Sequence, residues 1–579
     1  MKKYLLLVLV GIFSCLQLSA QSSNNASPKH EFRATWFTTW AGDWQKIYAV
    51  DNAKMVQQQN ALKACFDSLA RCNVNAVCFQ VRSRSDVFYE SSYEPWAKEL
   101  TGTLGKNPGY DPLKFAIDEA HKRGMELHAW VNPFRLSSAT DSRKTEDDVN
   151  NKDLYKAPYG KQGLQWSWVI PYDNASFTGQ IIDPGFPEAR KYVVNVLMEI
   201  VNKYDIDGIV MDDYFYGYGG TADNQDQNSQ SAHFDADVVE DENGDGLKMD
   251  DWRRSNVDAV IEAMYDSIQI VKPWVRFGMG PGGIWSTNDK VYNKYEIRKP
   301  QNIDGAADPY TLLYCNTVKW VKEGWVDYVN PQIYWSTTIS KFNYKVLCEW
   351  WAKDVCEHFS NKLEGNQRVH FYPSQTADKA FTTDNSGTNV GFGTTDEEGI
   401  EEIIKQINTN RNHLSSGYTG SVFFKNSTFL KMSDMVASAC YQQKALVPPM
   451  AWKSTEALVA PNKLRISGNT LTWQHDDADR FTVYIYPKNV HINQAIEESY
   501  YLQGVVYGKS FTMPNSFNST THNVAVRSYD RYGVEHEAAE YGPDVTYVLN
   551  GGVLEYTDEI EVPTNAELWG TDPETDGQG

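Results

Sequence analysis

The sequence predicts an α/β chain: a (β/α)8 barrel followed by an all-β sandwich. Three observations carry that prediction. Short apolar or β-branched runs alternate with helical repeats eight times within roughly four hundred residues, the length of one barrel with insertions. One run, Asp207 to Tyr216 (DGIVMDDYFY), passes from apolar residues straight into two carboxylates and three aromatics, as a buried strand does when it ends at a working surface. Past about Pro448 the helical period gives way to period-two strands.

The pairs follow in order. Residues 31–40 (EFRATWFTTW) are rich in β-branched and aromatic types and read as strand one, with a helix over 55–73. Strand two is 75–82 (NAVCFQVR). Its helix opens at Asp111-Pro112 and ends at Gly124, proline just inside the start and glycine just past the end. Strand three, 126–135 (ELHAWVNPFR), leads to a helix over 187–204 with Val193, Val194, Leu197, Ile200 and Val201 as its apolar positions. Strand four, 207–216, is followed by a helix over 252–271. Then come strand five (276–283) with a helix over 317–323, and strand six (327–335, DYVNPQIYW) with one over 344–359. Strand seven (369–374) with 397–408 and strand eight (421–424) with 431–441 complete the set. The prolines of NPF and NPQ mark where their strands leave the sheet, because proline cannot donate to a ladder. A doubly wound open sheet is the alternative; the missing GxGxxG turn after strand one counts against it. The barrel is placed at 29–445 and the sandwich at 448–548, with strands over 464–473, 481–486, 509–513 and 523–528 and no helix.

The ends of the chain read differently. Residues 1–20 carry Lys2 and Lys3, an apolar core and a small-residue Leu-Ser-Ala end, which is a secretory signal. Export to the periplasm or cell exterior is therefore expected, with lipidation at Cys15 ranked lower because bulky Phe13 stands beside it. No other stretch is apolar enough to span a bilayer. From 556 to 579 there are seven acidic residues and no Lys or Arg, a disordered composition. A net charge of -21 argues against nucleic acid, and 18 Trp with 34 Tyr favour aromatic platforms. The eight cysteines show no metal or disulfide spacing and read as small buried residues; oligomeric state is left open.

Catalytic groups of such barrels lie at the C-terminal strand ends. There the sequence places Trp36 and Trp40; Gln80, Arg82 and Asp86; Trp130, Asn132 and Arg135; Asp212, Asp213 and Tyr214; Asn330, Gln332, Tyr334 and Trp335; and Tyr372. Amides and arginines for hydroxyls, with indole and phenol faces for sugar rings, describe a carbohydrate cleft. Glycoside hydrolysis needs two carboxyl groups across the bond. Asp212 and Asp213 are not simply that pair, because strand neighbours point to opposite faces; one faces the mouth and the other a helix, and alternation leaves open which. The second carboxyl group comes from Asp86, Glu94, Asp183, Asp308 or the 397–402 cluster. In the long acidic loop 217–250, Asp241, Asn243 and Asp245 match half of a calcium loop that Trp252 breaks at its twelfth position, a mobile lid being the alternative. No other cofactor is suggested. A glycan-binding protein lacking a competent acid pair is the rival reading, and a deacetylase, without its metal cluster, a distant third.

Laid out in order, FRATWFTTW, NAVCFQVRSRSDVFYES, PWAKELTG, GMELHAWVNPFR, IDPGFPEAR, DGIVMDDYFY, DWRRSNVD and DYVNPQIYW resemble the glycosyl hydrolase-like family 10 of bacterial secreted proteins, over about 29–426. The resemblance implies a TIM barrel, glycosidase activity and, for some members, action on cell-wall (peptidoglycan) glycan strands. It sets Asp212, Asp213 and Tyr214 at the family's acidic strand end, Arg82, Asn132, Arg135, Asn330 and Gln332 in its strand-end motifs, and Glu402 as a candidate second carboxylate. The sandwich resembles a fibronectin type III module, an immunoglobulin-like fold, with Trp473 in its core; that implies spacing or docking.

Overall fold

The computed structural model describes residues 27–39, 42–137, 143–173, 178–212, 214–216, 238, 242–244, 246–383, 391–413, 419–455, 457–541, 546–550 and 553–556. The leader, the acidic tail, Trp40, Asp213, Asp241 and Asp245 lie outside these residues.

Eight parallel strands form the first unit: β1 (Phe32–Phe37), β2 (Ala76–Arg82), β3 (Glu126–Val131), β4 (Gly208–Asp212), β5 (Arg276–Gly280), β6 (Tyr328–Val329), β7 in two pieces (His370–Phe371 and Ser374–Thr376) and β8 (Gly420–Phe424). Each pairs with its sequence neighbour, and β8 returns to β1 with Phe32 opposite Gly420. The first piece of β7 pairs with β6 and the second with β8, so the sheet closes into a barrel. Pro373 sits at the break in β7, where its missing N–H interrupts the ladder.

Helices α1 (Asn52–Arg71), α2 (Pro112–His121), α3 (Pro187–Lys203), α4 (Met249–Val271), α5 (Thr317–Lys322), α6 (Tyr344–Glu349), α7 (Asp396–Arg411) and α8 (Asn426–Ala439) return the chain between strands. Asp51 and Asp111 cap α1 and α2 by accepting from Lys54 and Lys114 N–H, at 2.8 and 2.9 Å. After α6 the chain continues through a π-helical stretch, Trp350–Glu357, and a last turn, His358–Ser360. After β3 it makes an excursion, a small antiparallel sheet of Arg135–Ser137, Val169–Asp173 and Thr178–Ile182.

Alternation sorts the side chains. Ile209 and Met211 of β4 join the layer under the helices, whereas Val210 joins Phe32, Trp36, Trp130, Tyr328 and Tyr372 inside the barrel. That interior holds its rings because β4 and β5 carry glycine where they face it. A Cβ on Gly208 would stand 2.4 Å from the His128 ring, and one on Gly278 2.0 Å from the Tyr328 ring. A buried cluster also ties the start of β1 to the end of α7. Glu31 accepts from Arg33 Nε at 2.7 Å and from Arg411 Nε and Nη2 at 2.7 and 2.9 Å. Burial pushes its carboxyl up, but the two guanidinium groups outweigh it and hold it below the ordinary value.

The second unit comprises Glu456–Asp530 and the chain beyond Glu535. It has a three-stranded sheet (Asn462–Ser467, Thr470–Gln474, Ser510–Thr512) and a six-stranded one (Leu502–Tyr507, Arg480–Pro487, His522–Tyr529, Glu535–Tyr541, Thr546–Asn550, Val553–Tyr556), both antiparallel. Trp473, Phe481, Val483, Val524 and Val526 form its core. Three differences from the sequence reading stand out. A short helix, Ile492–Ala495, interrupts the sandwich; four of its strands were not foreseen; and β4 and β6 stop short at Asp212 and Val329, β6 just before the Asn-Pro of NPQ. No helix among the described residues is long and apolar enough to cross a membrane.

Candidate active site

Asp212 ends β4 with its side chain on the interior side, in register with Gly280 of β5. It is 5% exposed. Its Oδ2 accepts from Asn132 Nδ2 at 2.5 Å and its Oδ1 from Tyr214 N–H at 3.2 Å. Asn132 is itself oriented: its Oδ1 accepts from Gln80 Nε2 at 3.0 Å, and Gln80 Oε1 accepts from the Thr39 backbone N–H and hydroxyl, both at 3.1 Å. A backbone N–H can only donate, so the direction of the whole relay from β1 to β4 is fixed at Thr39. Burial pushes the Asp212 carboxyl above its ordinary value; Arg135, the Tyr214 N–H, the Asn132 amide and the Trp130 indole act the other way without cancelling it. The Arg135 guanidinium lies 4.2 Å over the Tyr214 ring.

Across Gly280 from Asp212 stands Asn330. A Cβ at 280 would come within 3.2 Å of both Asn330 Oδ1 and the Trp36 indole, so glycine keeps this space open. Asn330 is fully buried, yet among the described residues neither its amide oxygen nor its nitrogen has a hydrogen-bond partner, and the buried Trp130 indole N–H makes no bond of good geometry. Buried polar atoms of this kind are rare in folded proteins, and in a barrel mouth they await a ligand or ordered water.

Other expected contacts divide. Arg82 was read as a substrate ligand, but all five of its donors meet protein acceptors. Nε and Nη2 grip Glu94 at 2.7 and 2.6 Å, Nη2 reaches Ser85 Oγ at 2.9 Å, and Nη1 reaches the carbonyls of Asn132 and, at 3.0 Å, Pro133. It fixes the turn that carries Asn132. Trp36 and Trp130 meet edge to face at 4.8 Å inside the barrel, and Trp36 Nε1 donates to Ser374 Oγ at 2.8 Å. They form a floor rather than exposed platforms. Tyr372 is deeper still, stacked on Phe32 at 4.4 Å. Tyr334 and Trp335 are half-buried on the loop after β6, which suits ring stacking; Gln332 Nε2 donates to Gly280 O at 3.0 Å.

Most candidates for the second carboxyl group are already occupied. Glu402 accepts from Thr337 N–H at 2.6 Å, from Thr337 Oγ1 at 2.8 Å and from Gln406 at 3.1 Å, so it clamps the loop after β6. The resemblance offers Glu402 as a candidate second carboxylate; in the fold its oxygens are taken up by these protein donors. Glu94 belongs to Arg82 and Tyr192; Asp308 caps a short helix and accepts from Ser286 and Thr287; Asp183 turns the chain onto Gly185 N–H at 2.8 Å. Glu397 is exposed in the first turn of α7. Asp86 alone is buried without a hydrogen bond among the described residues. Asn243, from the half calcium loop, closes a turn onto both N–H and C=O of Leu247. The sequence reading missed Thr39 and Gly280, whose roles lie in an N–H and an absent side chain; only the strand-end position could have flagged them.

A closed parallel barrel with a buried, raised carboxyl group at the end of β4 and amides flanking it is the arrangement of a glycosyl hydrolase-type enzyme. The chain belongs to the family described as Glycosyl hydrolase-like 10, whose model matches residues 31–382. It is 32% identical over 471 residues to Glycosyl hydrolase YngK of Bacillus subtilis, covering 80% of this chain and 82% of that one. Glycosyl hydrolase DigH of Escherichia coli K12 is 34% identical over 328 residues, 56% of this chain and 70% of that one. Among solved structures, the PgaB glycoside hydrolase domain from Bordetella bronchiseptica aligns over 71% of this chain and 99% of that one, with 11% identity and a TM-score of 0.39.

Proposed function

We propose that this enzyme hydrolyses the glycan strands of a polysaccharide, peptidoglycan being the first candidate, with Asp212 as the acid/base group at the barrel mouth. One observation carries the reading: a buried carboxyl, raised by burial and oriented by the Thr39–Gln80–Asn132 relay, faces the buried Asn330 amide, which has no hydrogen-bond partner among the described residues and suits a sugar hydroxyl. In such a reaction a carboxylic acid gives its proton to the glycosidic oxygen as the C1–O bond breaks, and a second carboxylate supports attack at C1. Tyr334 and Trp335 are the stacking surfaces in this reading, and Arg135 and Gln332 hydroxyl ligands. Export through the leader and a spacing role for the sandwich, as in fibronectin type III modules, belong to the same proposal.

The test is release of soluble glycan from peptidoglycan with and without stem peptides, and from a polysaccharide panel, by the wild type and by Asp212→Asn, Asp213→Asn and Glu402→Gln. Asp212→Asn should lower release by orders of magnitude while leaving binding intact, and Glu402→Gln should retain activity. Binding without release by the wild type would identify a glycan-binding protein instead.

A further inference from the structure

A cleft of about 840 Å³ opens on the β1–β2 side of the mouth, beginning at Thr39, the first member of the Asp212 relay. Two buried, oppositely charged side chains line it, Asp86 at 4% and Lys144 at 8% exposure. They face each other at 3.9 Å, beyond hydrogen-bond length, and neither side chain has a hydrogen bond among the described residues. Their charged atoms open on the cleft instead of on protein partners, so what enters the cleft competes only with water for them.

Both groups are nevertheless held in place. Gln180, itself buried, accepts from the Lys144 N–H at 2.7 Å and donates to the Lys144 carbonyl at 2.9 Å, fixing the backbone beneath the ammonium group. Asp86 follows Ser85, whose φ of 51° is unusual for a residue with a side chain. Ser85 Oγ accepts from Arg82 and donates to the Arg135 carbonyl at 3.1 Å, which secures that conformation. Strain maintained by neighbours at a cleft marks a positioned side chain. The field of the cleft is positive in a chain of net charge -21: its described lining has five basic side chains against three acidic ones, and Lys46 and Lys98 form no ion pair among the described residues.

We propose that this cleft is a glycan subsite for a carboxylate-bearing sugar, the ligand carboxylate taking Lys144 and a neighbouring ligand hydroxyl or amide N–H donating to Asp86. The inference rests on the glycan reading of the mouth and adds the charge of the substrate. Such a ligand supplies both missing hydrogen bonds at once and draws on the positive surroundings. A neutral chain supplies a partner to Asp86 only.

Binding measured calorimetrically on the full chain tests this, with Asp212→Asn used to stop turnover. The probes are a peptide-free peptidoglycan tetrasaccharide carrying lactyl carboxylates, the same oligosaccharide with those carboxylates reduced to alcohols, an oligogalacturonate and a neutral chito-oligosaccharide. A lactyl or uronic carboxylate should bind about tenfold or more tightly than its reduced or neutral counterpart. The arm that does so identifies the source. Lys144→Gln should erase the preference without weakening the neutral ligand, and the paired Lys144→Gln/Asp86→Asn variant, which leaves no lone buried charge, should do the same. Equal binding of carboxylate and neutral forms overturns the proposal, as does a preference that survives in both variants. If glycan is bound with this preference but never cleaved, the hydrolytic reading falls and the subsite stands.

Discussion

Two buried ion pairs start from the end of β2 and the turn after it, and end differently. Arg82 and Glu94 meet through two short bonds, with Ser85, Tyr192 and two carbonyls taking up the remaining capacity. Asp86 and Lys144, a few residues away, stay 3.9 Å apart and line open space. Burial and charge type are the same in both, so neither distinguishes scaffold from site. What does is completeness: a pair whose every donor and acceptor is matched holds the fold, and one left open waits for something else. Asp212 lies between the two. Both its oxygens accept bonds, yet burial still raises its pKa, so it is placed firmly but ionised at a cost.

That contrast can be broken in order of effect. Asp212→Asn should lower glycan release by about 10²–10⁴-fold, the contribution of a general acid/base group, while raising the melting temperature. The sign follows from its raised folded pKa. The stability it provides is full below the unfolded value and is lost as pH rises through the folded one, so at neutral pH the ionised group is a liability that asparagine removes. Urea denaturation of Arg82→Met should show a loss of about 3–5 kcal/mol, because Glu94 is left as a lone buried charge. Glu31→Gln should cost a similar amount at pH 7. Because its folded pKa is lowered, the wild-type advantage over Glu31→Gln should fade as pH falls through the carboxylate range, which paired melts from pH 7 to 3 would show. Glu402→Gln removes acceptors from Thr337 and should cost about 1–3 kcal/mol with little change in catalysis. Smallest of all, Lys144→Gln/Asp86→Asn should shift stability by under about 1 kcal/mol; a loss as large as that of Arg82→Met would erase the distinction.

Much of this was legible in the sequence. Strand order, the helices and the acidic end of β4 follow from periodicity, glycine and proline positions, because these are local properties. Partnership is not local. Nothing in NAVCFQVR says that Arg82 will be saturated by Glu94, twelve residues on, and nothing in EEIIKQI says that Glu402 will bind Thr337 rather than face substrate. Trp36 and Trp130 were expected as platforms, but Gly208, Gly278 and Gly280 on the opposite strands leave interior room, and the rings of β1, β3 and β6 fill it. The open pair escaped for the same reason: Lys144 reaches Asp86 through an excursion of the chain after β3 whose sequence shows no catalytic motif.

The relay from Thr39 has a consequence for direction. Because Thr39 N–H forces Gln80, and Gln80 forces Asn132, the Asn132 NH2 points at Asp212 Oδ2 and disfavours a proton there. When Asp212 is protonated its hydrogen is therefore favoured on Oδ1, whose contact with Tyr214 N–H is the longer of the two. The carboxyl group is a one-sided proton port. A glycosidic oxygen is then served preferentially from one side, so the face of the sugar that is protonated is set three strands away, by the backbone amide of Thr39 just past the end of β1.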